Sequence, residues 1–323
     1  MTIQSSPLPI RSLAQPQRTG DSAGSQSTEE GSERLIVVSN RVADLTSSAQ
    51  TGGLAVGLSD AIGHQEGLWI GWDGKREGQT GGPVEVSQNG PVTCVGIPIS
   101  PQDFSDYYVE YANSVLWPLF HYRLDLVSIT PTAFDGYMRV NESFARQLLP
   151  MLKPDDVIWI HDYHLIPLAR MLRRLGCRQR IGHFMHIPFP PPELLSAVPD
   201  HRLLVEAMLE YDLLGFQTHT DAGNLKSYLT MHMPEARVHG DLVDIGPRTV
   251  RIGRFPIGID VEEFSTLARQ PPVDAVSSGL RTPKRKRIFG VDRLDYSKGL
   301  PARFKAFGEL LTHHPEMAEQ VEF

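Results

Sequence analysis

The sequence holds two cysteines, Cys94 and Cys177, in 323 residues. That is too few for a disulfide framework and fits a reducing cytoplasm. No apolar run approaches the ~18 residues of a membrane span, and the N-terminus lacks the charged-then-apolar order of a signal peptide. A formal net charge of −7 argues against a general nucleic-acid binder, while leaving room for a local basic pocket. No G-x-G-x-x-G dinucleotide fingerprint or P-loop occurs, which weighs against a nicotinamide oxidoreductase or an ATPase. There is also no helical H-E-x-x-H.

The chain is long enough for roughly two domains. Residues 1–33 are rich in Ser, Gln, Pro and Gly and read as a disordered tail. Leu35 to Val38 is a continuous apolar run suited to a central parallel strand, and it delivers Arg41 at its carboxyl end. Gly52 and Gly53 form a glycine turn feeding a helix, where a backbone can approach a phosphate. Gly67–Trp72 and Val92–Ile97 read as strands, with a polar loop over 73–90 between them. The aromatic-dense segment from Asp106 to Arg123 predicts a helix up to Pro118. Tyr108 and Trp117 in it serve either as a platform for a sugar ring or as core aromatics.

Val140, Phe144, Leu148 and Leu152 recur every four residues and predict an amphipathic helix. Val157–His161 is a buried strand ending at His161-Asp162, followed by a helix that stops at Gly176. Ile181 to Pro190 repeats the design, with His186 before a proline turn. His161-x-x-His164 and His183-x-x-His186 have the spacing of a partial zinc site. They lie at strand ends rather than along a helix face, so no metal is expected. Leu203–Tyr211 and Asn224 to about Met231 read as helices, Leu213–Thr218 as a strand and 241–256 as a hairpin. The polar stretch 266–287 fits an interdomain linker, and the basic run at 284–287 a solvated face of it.

Near the end, Arg287 to Pro301 reads as a short strand, a polar turn and a helix opened by Pro301. Arg293 and Lys298 then leave the carboxyl end of a strand, where open α/β sheets hold ligands, and two cations beside a helix N-terminus suit a diphosphate. One amphipathic helix follows through Phe304, Phe307, Leu310 and Leu311. Val321-Glu322-Phe323 begins a further strand.

Several strings together resemble the trehalose-6-phosphate synthase family of retaining glycosyltransferases: Val-Val-Ser-Asn-Arg, Gly-Gly-Leu-Ala-Val-Gly, Val-Leu-Trp-Pro, His-Asp-Tyr-His-Leu, His-Ile-Pro-Phe-Pro, Asp-Leu-Leu-Gly-Phe-Gln-Thr and Val-Asp-Arg-Leu-Asp-Tyr-Ser-Lys-Gly-Leu-Pro. The resemblance implies an α/β, GT-B-like fold of two Rossmann-like domains. Residues 34–256 would form the acceptor-side domain, complete. Residues 257–323 would be a linker and the first βα unit of a nucleotide-sugar domain, only begun. It implies transfer of glucose from UDP-glucose to glucose-6-phosphate with retention, giving trehalose-6-phosphate and UDP, with no cofactor and no metal. The sequence also lacks Asp-x-Asp, the metal signature of the other common glycosyltransferase architecture.

By the resemblance, Arg41 holds the acceptor phosphate, Tyr108 and Asp162 the acceptor sugar, and Trp117 shapes the acceptor pocket. Gly52 and Gly53 pack against the donor, His186 bonds the donor glucose, and Arg293 and Lys298 neutralise the departing diphosphate. The family's later donor loop has no counterpart in these residues, so the expectation is a fragment of low turnover by itself. A homo-oligomer is compatible with the sequence. A glucosylglycerol-phosphate synthase and a non-catalytic sugar-phosphate sensor stand as alternatives.

Overall fold

The computed structural model describes residues 34–42, 66–75, 78–270 and 285–323. The expectations for the tail 1–33, for Gly52 and Gly53, and for most of the linker lie outside them.

Among the described residues a ten-stranded sheet runs in the order β3-β4-β2-β1-β5-β6-β7-β10-β9-β8. Its strands are β1 (Leu35–Arg41), β2 (Gly67–Trp72), β3 (Glu85–Asn89), β4 (Val92–Ile97), β5 (Val157–His161), β6 (Arg180–Met185), β7 (Leu213–Phe216), β8 (Ala236–His239), β9 (Leu242–Ile245) and β10 (Arg248–Arg254). From β4 through β10 every neighbouring pair is parallel. The apolar runs of β1, β2 and β5 are buried because helices or loops cover both faces of a parallel sheet.

The chain steps from β1 outward to β2 and β4, then returns to the other side of β1 to lay down β5, β6 and β7. Strand order therefore reverses between β1 and β5. In open α/β sheets, a crevice opens at the carboxyl ends of the strands beside such a reversal. Arg41 ends β1, His161-Asp162 ends β5 and His186 follows β6.

The helix Ala133–Leu148 packs Val140, Phe144 and Leu148 fully into the core, while Leu152 falls just beyond it. Leu168–Arg174 is closed by Gly176, whose φ of 93° is the left-handed stop the sequence called for. The helix His219–His232 starts five residues earlier than expected. Thr218 and Asp221 form a reciprocal capping box that satisfies its first N–H groups. Thr218→Ala is expected to lower stability by about 1 kcal/mol, read as a shifted urea midpoint with an unchanged slope.

Four expectations need correction. The stretch 73–90 is not all loop, because β3 pairs antiparallel with β4 at the sheet edge. Its residues are almost all exposed and carry no apolar alternation to announce it. The aromatic helix does not stop at Pro118: a π-helix spans Phe104–Leu116 and passes directly into an α-turn, Trp117–Phe120. Pro118 sits in the first turn of that segment, and the Ser114 carbonyl accepts instead from the Ser128 amide at 2.9 Å. The first residues of the expected linker 266–287 are the end of a helix, Val261–Arg269, capped by the Asp260 side chain.

The fourth correction concerns the terminal segment. Its strand is β11 (Lys286–Arg287), paired parallel with β12 (Val321–Glu322), and not the apolar run at 288–291. The partner strand spans two residues, so the ladder closes with the Ile288 amide on the Glu322 carbonyl. Arg293 and Lys298 therefore do not leave the strand directly. They follow it through an extended stretch into the single turn Tyr296–Lys298 and the helix Leu300–His313.

Candidate active site

The turn after β5 is the most constrained part of the crevice. Asp162 has φ 70° and ψ 172°, a region almost reserved for glycine. Such strain costs on the order of 1–3 kcal/mol and persists only where surrounding bonds overdetermine it. Here three buried side chains hold the following carbonyls. The Tyr137 hydroxyl donates to the Tyr163 carbonyl at 2.6 Å, Asn141 Nδ2 to that of His164 at 3.1 Å, and the Tyr211 hydroxyl to that of Leu165 at 2.8 Å. The Asp162 amide itself donates to the Phe184 carbonyl, tying the turn to β6.

The bend aims the Asp162 carboxyl at the turn after β6, where Oδ1 accepts from the His186 amide at 3.2 Å. Burial pushes its pKa up to about 7, against the pull of backbone N–H groups at His186, Tyr163 and Ile187. It is therefore a carboxyl poised between acid and anion near neutral pH. His186 Nε2 lies 3.0 Å from His161 Nδ1, and burial lowers the His186 pKa to about 4. His164 is lowered to about 3 and His183 to about 4, in both cases chiefly by burial. These imidazoles are neutral at pH 7. Among the described residues no group of three or more His, Cys, Asp or Glu is placed to hold a metal ion.

A band of rings joins the remaining residues. The Arg41 guanidinium lies 5.8 Å over the Trp72 ring. Trp72 is 6.3 Å from Tyr108, which stacks on His164 at 5.7 Å, and His164 lies 3.9 Å from Tyr163. Tyr163 meets Trp117 at 5.7 Å, and the Arg293 guanidinium lies 6.0 Å over Trp117. Tyr108 and Trp117 are half-buried, each with part of its ring in the core and part open. Arg293 is also near enough to Tyr163 to oppose the rise that burial imposes on its phenol. Lys298 joins the same end: burial chiefly lowers the His121 pKa, and the Lys298 charge adds to that while Asp295 opposes it. His121 in turn packs 4.0 Å from Trp117.

The structure thus brings Arg41, Tyr108, Trp117, Asp162, His186, Arg293 and Lys298 to one end of the sheet. Gly52 and Gly53 lie outside the described residues. Sequence reading missed Trp72, which carries the Arg41 cation, and the anchors Tyr137, Asn141 and Tyr211. Asn141 left a signal, a polar residue one position from Val140 on the buried stripe of its helix. It is 0% exposed.

The chain belongs to glycosyltransferase family 20, whose model matches residues 26–323. It is 42% identical over 297 residues to the trehalose-6-phosphate synthase of Salmonella arizonae, covering 90% of this chain and 61% of that relative. A solved E. coli structure bound with UDP-2-fluoro glucose is similar at 42% identity and a TM-score of 0.83, over 90% of this chain and 63% of that one. An alpha,alpha-trehalose-phosphate synthase (UDP-forming) from Burkholderia xenovorans, in complex with glucose-6-phosphate, matches at 44% identity and a TM-score of 0.81, over 90% and 64% of the two chains. The α/β fold is accordingly of the GT-B type, and the chain spans about three-fifths of the length of the curated relatives it matches.

Proposed function

We propose that this chain carries the acceptor site and the diphosphate contacts of an alpha,alpha-trehalose-phosphate synthase. The reaction transfers glucose from UDP-glucose to glucose-6-phosphate with retention, releasing UDP. Residues 34–256 serve the acceptor side and 257–323 begin the nucleotide-sugar side, in the cytoplasm. The observation that carries the reading is the band from Arg41 to Arg293, with a guanidinium suited to a phosphate at each end and aromatic rings between them.

Arg41 grips the acceptor phosphate through its planar fork. Tyr108 and Trp117 cover apolar sugar faces, and Asp162 bonds an acceptor hydroxyl. Gly52 and Gly53 let the backbone approach the donor, and His186 bonds the donor glucose. As the glycosidic bond breaks, negative charge grows on the diphosphate. Arg293 and Lys298, already in place, stabilise that charge without reorganising. The departing phosphate oxygen takes the acceptor's proton on the same face, so no protein nucleophile is needed. Asp162, with a pKa of about 7, acts as a hydrogen-bonding group rather than as the fully ionised nucleophile of a retaining glycosidase.

Glucose-6-phosphate titrated into the 323-residue chain tests the acceptor half. Arg41→Ala is expected to weaken binding by about 10–100-fold, the value of a charge-assisted contact. Gly74→Ala should act through the same guanidinium. A Cβ there would sit 2.6 Å from Arg41 Nη2 on a backbone at φ +83°. The guanidinium has to move off that Cβ, so about fivefold weaker binding with an unchanged circular dichroism spectrum is expected, on the order of 1 kcal/mol lost from a displaced charge-assisted contact. Equal affinity in wild type and Arg41→Ala would overturn the acceptor assignment.

A further inference from the structure

The bond between His161 and His186 has a consequence for the chemistry His186 can offer. Two neutral imidazoles joined nitrogen to nitrogen share one proton, so the direction of the bond sets both tautomers. His161 is 1% exposed, and its other ring nitrogen, Nε2, has no hydrogen-bond partner among the described residues. The ring packs 4.4 Å from Trp159, which offers that nitrogen no acceptor atom.

Consider the two directions. If His186 donated Nε2–H to His161 Nδ1, the His161 proton would sit on Nε2, leaving a buried N–H with no acceptor. Orphaned buried N–H groups are rare in folded proteins, whereas an unfilled acceptor lone pair is tolerated more often. If His161 donates Nδ1–H to His186 Nε2, the orphan on His161 is only a lone pair. His186 Nε2 is then the acceptor, and the His186 proton must lie on Nδ1. The low proton affinity of both rings keeps a second proton from blurring this choice.

We propose that His161 is a positioning residue that donates to His186 Nε2 and fixes His186 as the tautomer protonated on Nδ1. His186 then offers an N–H donor, at the ring nitrogen His161 leaves unused, to a sugar oxygen. This rests on the reading of His186 as a donor-glucose contact, yet the tautomer can be measured without any substrate. His183 does not compete for the bond, because its Nε2 donates to the Asp162 carbonyl at 3.1 Å. That carbonyl belongs to the strained turn, so the turn's backbone holds the His183 imidazole while the Asp162 carboxyl holds the His186 amide.

The experiment is a long-range 1H–15N correlation spectrum of the 323-residue chain labelled with 15N-histidine. The His186 signals are assigned by their loss in His186→Gln. The expected pattern is a protonated Nδ1 and an unprotonated Nε2 on His186. His161→Asn, whose side-chain amide still donates from about the same place, is expected to keep that pattern. His161→Phe, which fills the site without a donor, is expected to lose it and shift the His186 proton toward Nε2. A merely structural role for His161 would leave the tautomer unchanged in a folded His161→Phe, and that result overturns the proposal. A wild-type His186 protonated on Nε2 overturns it without any His161 variant. If the tautomer is as expected but no sugar nucleotide binds, the functional reading fails and this inference stands.

Discussion

Replacing Arg293 and Lys298 together by alanine is expected to weaken UDP binding to the 323-residue chain by about 100-fold. Each contact of a cation with a phosphate oxygen is worth about 1.5–3 kcal/mol, and the lower figure applies to side chains as exposed as these. About tenfold per residue follows, and the two effects should add only roughly because both act on one diphosphate. Their exposure also means that little packing is lost, so the circular dichroism spectrum should not change. Arg293→Lys should recover only part of the loss, since a point charge cannot replace a planar fork lying over Trp117. Binding should weaken further with added salt in wild type and much less in the double variant. UDP affinity that is the same in wild type and double variant would remove the diphosphate assignment.

The second large effect concerns pH. Asp162 has a folded pKa raised to about 7 from a usual value of 3.8. Between those values the folded chain keeps a proton that the unfolded chain has released, so stability falls as pH rises through that window and levels off above it. Asp162→Asn removes the titration and keeps the shape. Compared with wild type, the variant should gain about 2–4 kcal/mol more at pH 8 than at pH 4, taking 1.4 kcal/mol per unit and discounting for partial exposure. Urea denaturation at the two pH values measures it. The gain at pH 8 should come with weaker glucose-6-phosphate binding, because the amide cannot take the anionic form. A site that keeps a destabilised carboxyl fits a stability cost retained for binding.

The parallel core could be read from sequence because its strands are buried on both faces. Leu35 to Val38 and Val157 to Ile160 are apolar without interruption, and only a covered parallel sheet requires that. Edge elements gave no such signal. β3 and the helix Val261–Arg269 contain no buried residue. Apolar content misled at Ile288–Val291, where Phe289 and Val291 are 81% and 77% exposed. An apolar run reports a preference for burial, whereas a strand needs a neighbour, and β12 offers two residues. Within the site, residues at strand ends could be found because loops after parallel strands hold ligands. The His161–His186 bond and the Asn141 anchor join positions 25 and 23 residues apart and leave no local pattern to read.

In the proposed reaction, one band of rings links an acceptor phosphate at Arg41 to a nucleotide diphosphate at Arg293 and Lys298. The four tryptophans provide the probe. Trp72 lies under Arg41 and Trp117 under Arg293, while Trp69 packs on the other face of the sheet, its indole N–H donating to Ser39. The indole resonances of the 15N-labelled chain should be followed as glucose-6-phosphate and then UDP are added. The expected result is that Trp72 moves with glucose-6-phosphate, Trp117 moves with both, and Trp69 moves with neither. A Trp117 resonance that ignores UDP while another indole responds would contradict the account.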